Sequence, residues 1–255
     1  LDANGDPVAR YGDYYGLSYE YDGTGTVITY LDAEGNPIIR SDGYSTIVRT
    51  QVDGRASDDF YYDLNGQPVQ CSGGYYGIHC EYNAEGQSTS LTFLDEDGHA
   101  VCTSSGYAIK TYQRDENGTV VGEQYFDTEG NPARSSLGQY GELYQRNEQG
   151  YISQITYLDL DGNPAPTNAG YTILKRTYHR DGTADTDMYF DANGNPKALS
   201  KGQYGIKRSG KVNLLLDRNS NVMPCVDNLL NGFPCMVVVF GCVVCLLMIV
   251  LPKSL

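Results

Sequence analysis

The sequence predicts an all-β tandem-repeat array, about seven two-stranded hairpin units with a period of about 32 residues, followed by one C-terminal transmembrane α-helix. Three observations carry this. The octapeptide Tyr125-Phe126-Asp127-Thr128-Glu129-Gly130-Asn131-Pro132 recurs at 30–37, 61–68, 157–164 and 189–196, without its proline at 93–99, and cut at its first residue at 1–7. Its aspartates fall at 2, 32, 63, 95, 127, 159 and 191, so the steps are 30, 31 and then 32 throughout. Each unit of such an array buries its apolar face on its neighbours. The second observation is composition: 23 tyrosines and 30 glycines with no tryptophan suit short strands joined by tight turns. Third, residues 233–251 form a run of 19 without a charge, about 28 Å as a helix, the depth of a bilayer core.

One period shows the elements in order. Asp95-Glu96-Asp97-Gly98 opens it as a turn, and a polar link runs to Ser105-Gly106. The stretch from Tyr107 to Tyr112 alternates as a half-buried strand does. Arg114-Asp115-Glu116-Asn117-Gly118 is a second turn, since Asn-Gly is a strong tight-turn signal in which both residues tolerate positive φ, so the sequon Asn117-Gly118-Thr119 reads as turn. The stretch from Thr119 to Phe126 is the return strand.

The repeated aspartates Asp32, Asp63, Asp95, Asp127, Asp159 and Asp191 read as structural turn residues, since an Asx side chain accepts from backbone amides two residues on. Tyr15, Tyr76, Tyr107, Tyr171 and Tyr204 each precede Leu17, Ile78, Ile109, Ile173 or Ile206 by two residues, which predicts an aromatic-aliphatic ladder along one face. Tyr44 and Tyr140 have their partners, Ile47 and Leu143, three residues on, a sign of bulges or a slipped register. After Tyr204 the last unit decays, with Asp217-Arg218-Asn219-Ser220-Asn221 as a degraded turn. The expected domains are the array at 1–220, a linker at 221–232, the span at 233–251 and a tail at 252–255.

Chemistry is sparse. Net charge is −14, which argues against nucleic acid as a partner. His79, His99 and His179 sit at three different repeat positions and match no metal-ligand spacing, and the densest acidic turns lack the late bidentate glutamate of a calcium loop. No catalytic triad or phosphate loop is visible, so neither a metal, a cofactor nor a catalytic residue is expected. Cys71 and Cys102 fall eight and seven residues after their repeat aspartates, which brings a disulfide between adjacent units within reach; a free thiol at each is the alternative. Tyrosines outside the ladder are the one feature that suggests recognition, and Tyr82, Tyr112, Tyr144 and Tyr178 are the candidate ligand-binding residues.

On these motifs the chain resembles bacterial surface tandem β-hairpin repeats. Tyr189-Phe190-Asp191-Ala192-Asn193-Gly194-Asn195 is similar in wording to the Tyr-Phe-Asp-x-x-Gly repeats of cell-wall-binding modules, with a longer period and no tryptophan. It also resembles the Tyr-Asp repeats of large toxin shells. An array running into an apolar span is similar to the N-terminal part of some VanZ-like membrane proteins. The resemblance implies a non-catalytic repeat module outside a bacterial cell membrane, binding cell-wall polysaccharide or a protein ligand and held to the lipid bilayer by 233–251. The alternative is a spacer or regulatory ectodomain of a larger membrane protein or enzyme.

Overall fold

The computed structural model describes residues 8–10, 13–21, 23–210 and 212–223. Fourteen antiparallel strands, seven hairpins, make an all-β array. They are β1 (Gly16–Tyr21), β2 (Gly25–Leu31), β3 (Thr46–Val52), β4 (Arg55–Tyr62), β5 (Gly77–Tyr82), β6 (Ser88–Leu94), β7 (Ile109–Arg114), β8 (Val120–Phe126), β9 (Gly141–Arg146), β10 (Ile152–Leu158), β11 (Ile173–Tyr178), β12 (Ala184–Phe190), β13 (Gly205–Ser209) and β14 (Val212–Leu216). The array divides into two compact units, residues up to 145 with 156–168, and 146–155 with the residues from 169 on. Within each, strand order follows the chain.

One element of the expected fold class is corrected. No helix is present among the described residues, so none is long and apolar enough to cross a membrane. Their apolar residues alternate with period two between glycine turns, a pattern that cannot fill one face of a helix. The run 233–251 and the tail lie outside the described residues, and the apolarity that suggested a span is a property of composition alone. At the end of the described residues Val222 bridges Leu216, and the Met223 amide donates to Leu215; the rest of the expected linker lies outside them.

The aspartate turns follow expectation. Oδ1 of Asp127 accepts from the amides of Glu129 and Asn131 at 2.9 and 2.8 Å. The same pair of bonds recurs at Asp32, Asp63, Asp95, Asp159, Asp191 and Asp217. The hairpin turns are of two kinds. At Asp115-Glu116-Asn117-Gly118 only Gly118 has positive φ, 79°, because Asp115 Oδ1 holds the Asn117 and Thr119 amides and closes a four-residue turn. A two-residue reversal occurs instead between β3 and β4, where Asp53 and Gly54 both take positive φ, 52° and 74°.

The ladder exists one residue out of the expected register in part of the array. In the first unit eight rings form a column, Tyr14, Tyr30, Tyr44, Tyr61, Tyr75, Phe93, Tyr107 and Tyr125, with successive centroids 4.3 to 6.0 Å apart. In the second, Tyr171 and Tyr189 are 4.7 Å apart. Tyr15 lies outside the column and is exposed. At Tyr44, Tyr75 and Tyr107 the column residue is the one directly after the turn glycine (Gly43, Gly74, Gly106), and the doublets Tyr14-Tyr15 and Tyr75-Tyr76 offer two rings for one place. Beside the rings, the residue fifteen after each repeat aspartate faces the same side: Leu17, Ile47 and Ile78 in the first unit, then Lys110 and Glu142.

Candidate functional site

The four candidate tyrosines are half-buried, and each is engaged within the chain. Tyr82 Oη donates to the Ala56 carbonyl at 2.8 Å, and Tyr178 Oη to the Ile152 carbonyl at 2.7 Å, each reaching 26 residues upstream. Arg114 Nη2 makes the same reach to the Ser88 carbonyl at 2.7 Å. All three stand nineteen residues after a repeat aspartate, where strands of successive hairpins diverge. Strands β4 and β5, for example, pair only from Phe60↔Gly77 to Asp58↔His79. The side chain at this position staples the diverging ends together. Tyr178 also stacks on Tyr151 at 4.8 Å.

Tyr112 and Tyr144 lie within a polar layer that interrupts the aliphatic row of the first unit. Lys110 Nζ is 3.5 Å from Glu123 Oε1 and 5.2 Å from the Tyr112 ring centroid. Glu142 accepts from Gln139 Nε2 at 3.0 Å and from Tyr144 Oη at 3.1 Å. Glu123 and Glu142 are direct cross-strand partners, a like-charge pairing that is unfavourable by itself. Burial pushes the Glu142 carboxyl up, with the Glu123 charge adding to it against the hydrogen bonds from Tyr144 and Gln139. Burial alone pulls the Lys110 ammonium down, but Glu123 and the neighbouring tyrosines hold it above its ordinary value. Sequence reasoning missed Lys110, Glu123, Gln139 and Glu142; the signal was available once the repeats are counted from the turn glycine, since charged residues then occupy an aliphatic position. An opening of about 120 Å³, lined by Gln124, Phe126, Pro132 and Tyr140 among others, does not include Lys110, Glu123, Gln139 or Glu142 in its wall.

A cleft of 760 Å³ lies in the first unit beside the Asp53-Gly54 turn. It is lined by Arg55, His79, Cys80, Glu81, Tyr82 and Asn83, among others. A second opening of 580 Å³, lined by Tyr21, Thr50, Gln51 and Gly54, flanks the same turn. Both follow from the sequence step of 31 at this repeat: the short turn leaves unfilled the place that a four-residue Asx turn takes elsewhere. In the cleft the Arg55 guanidinium lies 6.0 Å from the Tyr82 ring centroid, and Glu81 accepts from Ser90 Oγ at 2.7 Å. His79 Nδ1 is 2.8 Å from Asp58 Oδ1, and Ser57 Oγ donates to Asp58 Oδ2 at 2.7 Å. A nucleophile relay needs the imidazole between hydroxyl and carboxylate; here the carboxylate is in the middle, so Ser57 is not activated. Burial pushes the Cys80 thiol up, the reverse of what a reactive thiolate needs.

Cys71, Cys80 and Cys102 are free thiols. Of the two readings left open for Cys71 and Cys102, the free thiols are the ones seen, because their one-residue difference in repeat position puts Cys71 inside and Cys102 outside. Thr103, next to Cys102, is the residue that matches Cys71, and its amide bonds to Tyr107 as that of Cys71 does to Tyr75. Among the described residues no group of three or more His, Cys, Asp or Glu is placed to hold a metal ion.

No protein-family model matches the chain, and a comparison with curated proteins finds no match either. What the structure shows is the architecture, a tandem array of antiparallel hairpins.

Proposed function

We propose that the array is a non-catalytic recognition module working outside a bacterial cell, which binds cell-wall polysaccharide or another surface ligand in the cleft beside the Asp53-Gly54 turn. The observation that carries this reading is the cleft itself, 760 Å³ opened by a shortened turn and lined by an aromatic ring, a guanidinium, an imidazole and an amide. Such sets hold sugar rings by stacking and hydrogen bonding. The binding residues thus shift from the four candidate tyrosines to Tyr82 with Arg55, His79 and Asn83. The test is co-sedimentation of the protein with purified cell-wall sacculi and soluble wall polysaccharides across a salt series. Binding that persists at high salt and is lost in Arg55→Ala, with folding intact, supports the reading. Absence of binding across the panel removes it.

A second reading, a spacer or regulatory segment of a larger protein, is favoured by a different observation. Tyr82 and Tyr178 use their hydroxyls to join hairpins, and five of the eight rings in the column of the first unit are buried.

A further inference from the structure

The tips of successive hairpins cover one another by a size rule. The residue eight before a repeat aspartate stands just after its own hairpin turn, beside the turn glycine of the next hairpin. Where that residue is long, its side chain lies over the glycine. A Cβ on Gly86 would sit 2.5 Å from Arg55 Nη2, and one on Gly118 would run into the Gln87 amide, both in the first unit. In the second unit, a Cβ on Gly182 would sit 2.5 Å from Tyr151 Oη. Where the residue is threonine, the glycine is bare. A Cβ on Gly54, the next turn glycine after Thr24, meets nothing within 4 Å, and neither does one on Gly210, the next after Thr183.

At Gly54 the bare turn is also the short one, and the openings of 760 and 580 Å³ lie on its two sides. The first is lined by residues of the β3–β4 and β5–β6 hairpins, the second by residues of the β1–β2 and β3–β4 hairpins. Asp53 lines the first and Gly54 the second, and no side chain stands over the glycine between them. The two openings are therefore one trough that crosses the turn.

The walls narrow the ligand. Among the described residues the smaller opening carries Thr24, Thr26, Thr50 and Gln51 and no charged side chain. The larger one carries two carboxylates, Asp53 and Glu81, against the one guanidinium of Arg55. Such walls offer hydroxyl and amide partners without an excess of positive charge, in a chain of net charge −14, so they disfavour a polyanion. Resting on the recognition reading above, we infer that the ligand is an uncharged linear glycan, bound by an internal segment that crosses the Asp53-Gly54 turn and occupies both openings at once. Tyr82 and Arg55 hold one end of the segment, by stacking and hydrogen bonding, and Thr50 and Gln51 hold the other.

The test is isothermal titration of the full chain, in a mild detergent that shields the uncharged run 233–251. The ligands are oligomers of N-acetylglucosamine and of glucose, from the dimer upward, with polygalacturonate and polyglycerol phosphate as polyanions. Affinity for an uncharged series is expected to rise by about tenfold or more from the dimer to the oligomer that reaches both openings, and then to level off. Thr24→Arg puts over Gly54 the residue type that covers Gly86, and is expected to bring long oligomers down to the affinity of the dimer. Gln51→Ala, at an exposed position, is expected to weaken long oligomers by roughly fivefold for one lost hydrogen bond and to leave the dimer unchanged. Equal affinity for dimer and long oligomers overturns the inference and leaves recognition in the cleft standing. Tighter binding of the polyanions does the same, as does long-oligomer binding that neither variant changes. No binding of any of these glycans or of sacculi removes the recognition reading and this inference with it.

Discussion

The hydroxyl of Tyr82 donates to the carbonyl of Ala56, 2.8 Å away and 26 residues earlier in the chain. A tyrosine at this position joins two hairpins at the point where their strands part, a structural role. Tyr82→Phe should therefore lower unfolding stability by about 1 kcal/mol, the net worth of one hydrogen bond, while keeping the ring in place. Denaturant titration reads this directly. If the hydroxyl served only a ligand, stability would not change.

The Asp217 turn keeps its two amide bonds although its glycine has become Ser220, at φ 65°. The six preceding aspartate turns place glycine there, from Gly35 to Gly194, all with positive φ. A non-glycine residue in the left-handed region costs roughly 1–2 kcal/mol, partly offset by the extra freedom that glycine has in the unfolded chain. Ser220→Gly is expected to raise stability by about 0.5–1 kcal/mol on this account. A thermal melt that moves down instead would show that Ser220 makes a compensating contact.

What was legible in the sequence was whatever repeats locally. The aspartate turns depend on atoms within five residues, so their spacing announced the hairpins and their number. The ring column was legible in kind but not in register, since the doublet Tyr75-Tyr76 leaves two adjacent rings competing for one place and only the φ of Gly74 decides between them. The polar layer was illegible for the same reason. Until register is known, Lys110 and Glu142 read as surface charges on half-buried strands. The staples were hidden differently: Tyr82 and Ala56 are distant in sequence, and a backbone carbonyl leaves no trace in composition. The cleft had a faint signal, the step of 31 where later repeats step by 32, which marks a shortened turn.

Glu142 makes stability depend on pH. Its carboxyl is pushed up by burial and by Glu123 opposite it, so the folded state prefers the protonated form more than the unfolded chain does. For a raised carboxyl, the stabilising contribution is full below the ordinary carboxylate range and is lost as pH rises through the folded-state value. Glu142→Gln keeps an acceptor for Tyr144 or Gln139 and cannot ionise. Its stability is expected to match the parent at low pH and to exceed it increasingly towards neutrality. Parallel curves for the two proteins from pH 4 to 8 would remove this account of the layer.

Asp187 should behave in the opposite sense. It is buried in the second unit, where Arg176 contacts both of its oxygens at 2.6 and 2.9 Å and Arg208 approaches from the next hairpin at 2.6 Å. Burial alone would push its carboxyl up, but the two guanidiniums outweigh burial and hold it below the ordinary value. A depressed carboxyl contributes stability that is present above the unfolded-state value and is lost as pH falls through the folded one. Asp187→Asn keeps the shape and removes the charge, leaving two half-buried guanidiniums facing each other. It is expected to cost about 3–5 kcal/mol at neutral pH, the usual result of deleting one member of a buried ionic group. The cost should shrink as pH falls below the carboxylate range, where the parent also loses the charge. Hydrogen exchange followed separately on β11–β13 and on the first unit locates the loss. Protection that falls in the second unit but not in the first is the expected outcome, because all three residues belong to the second.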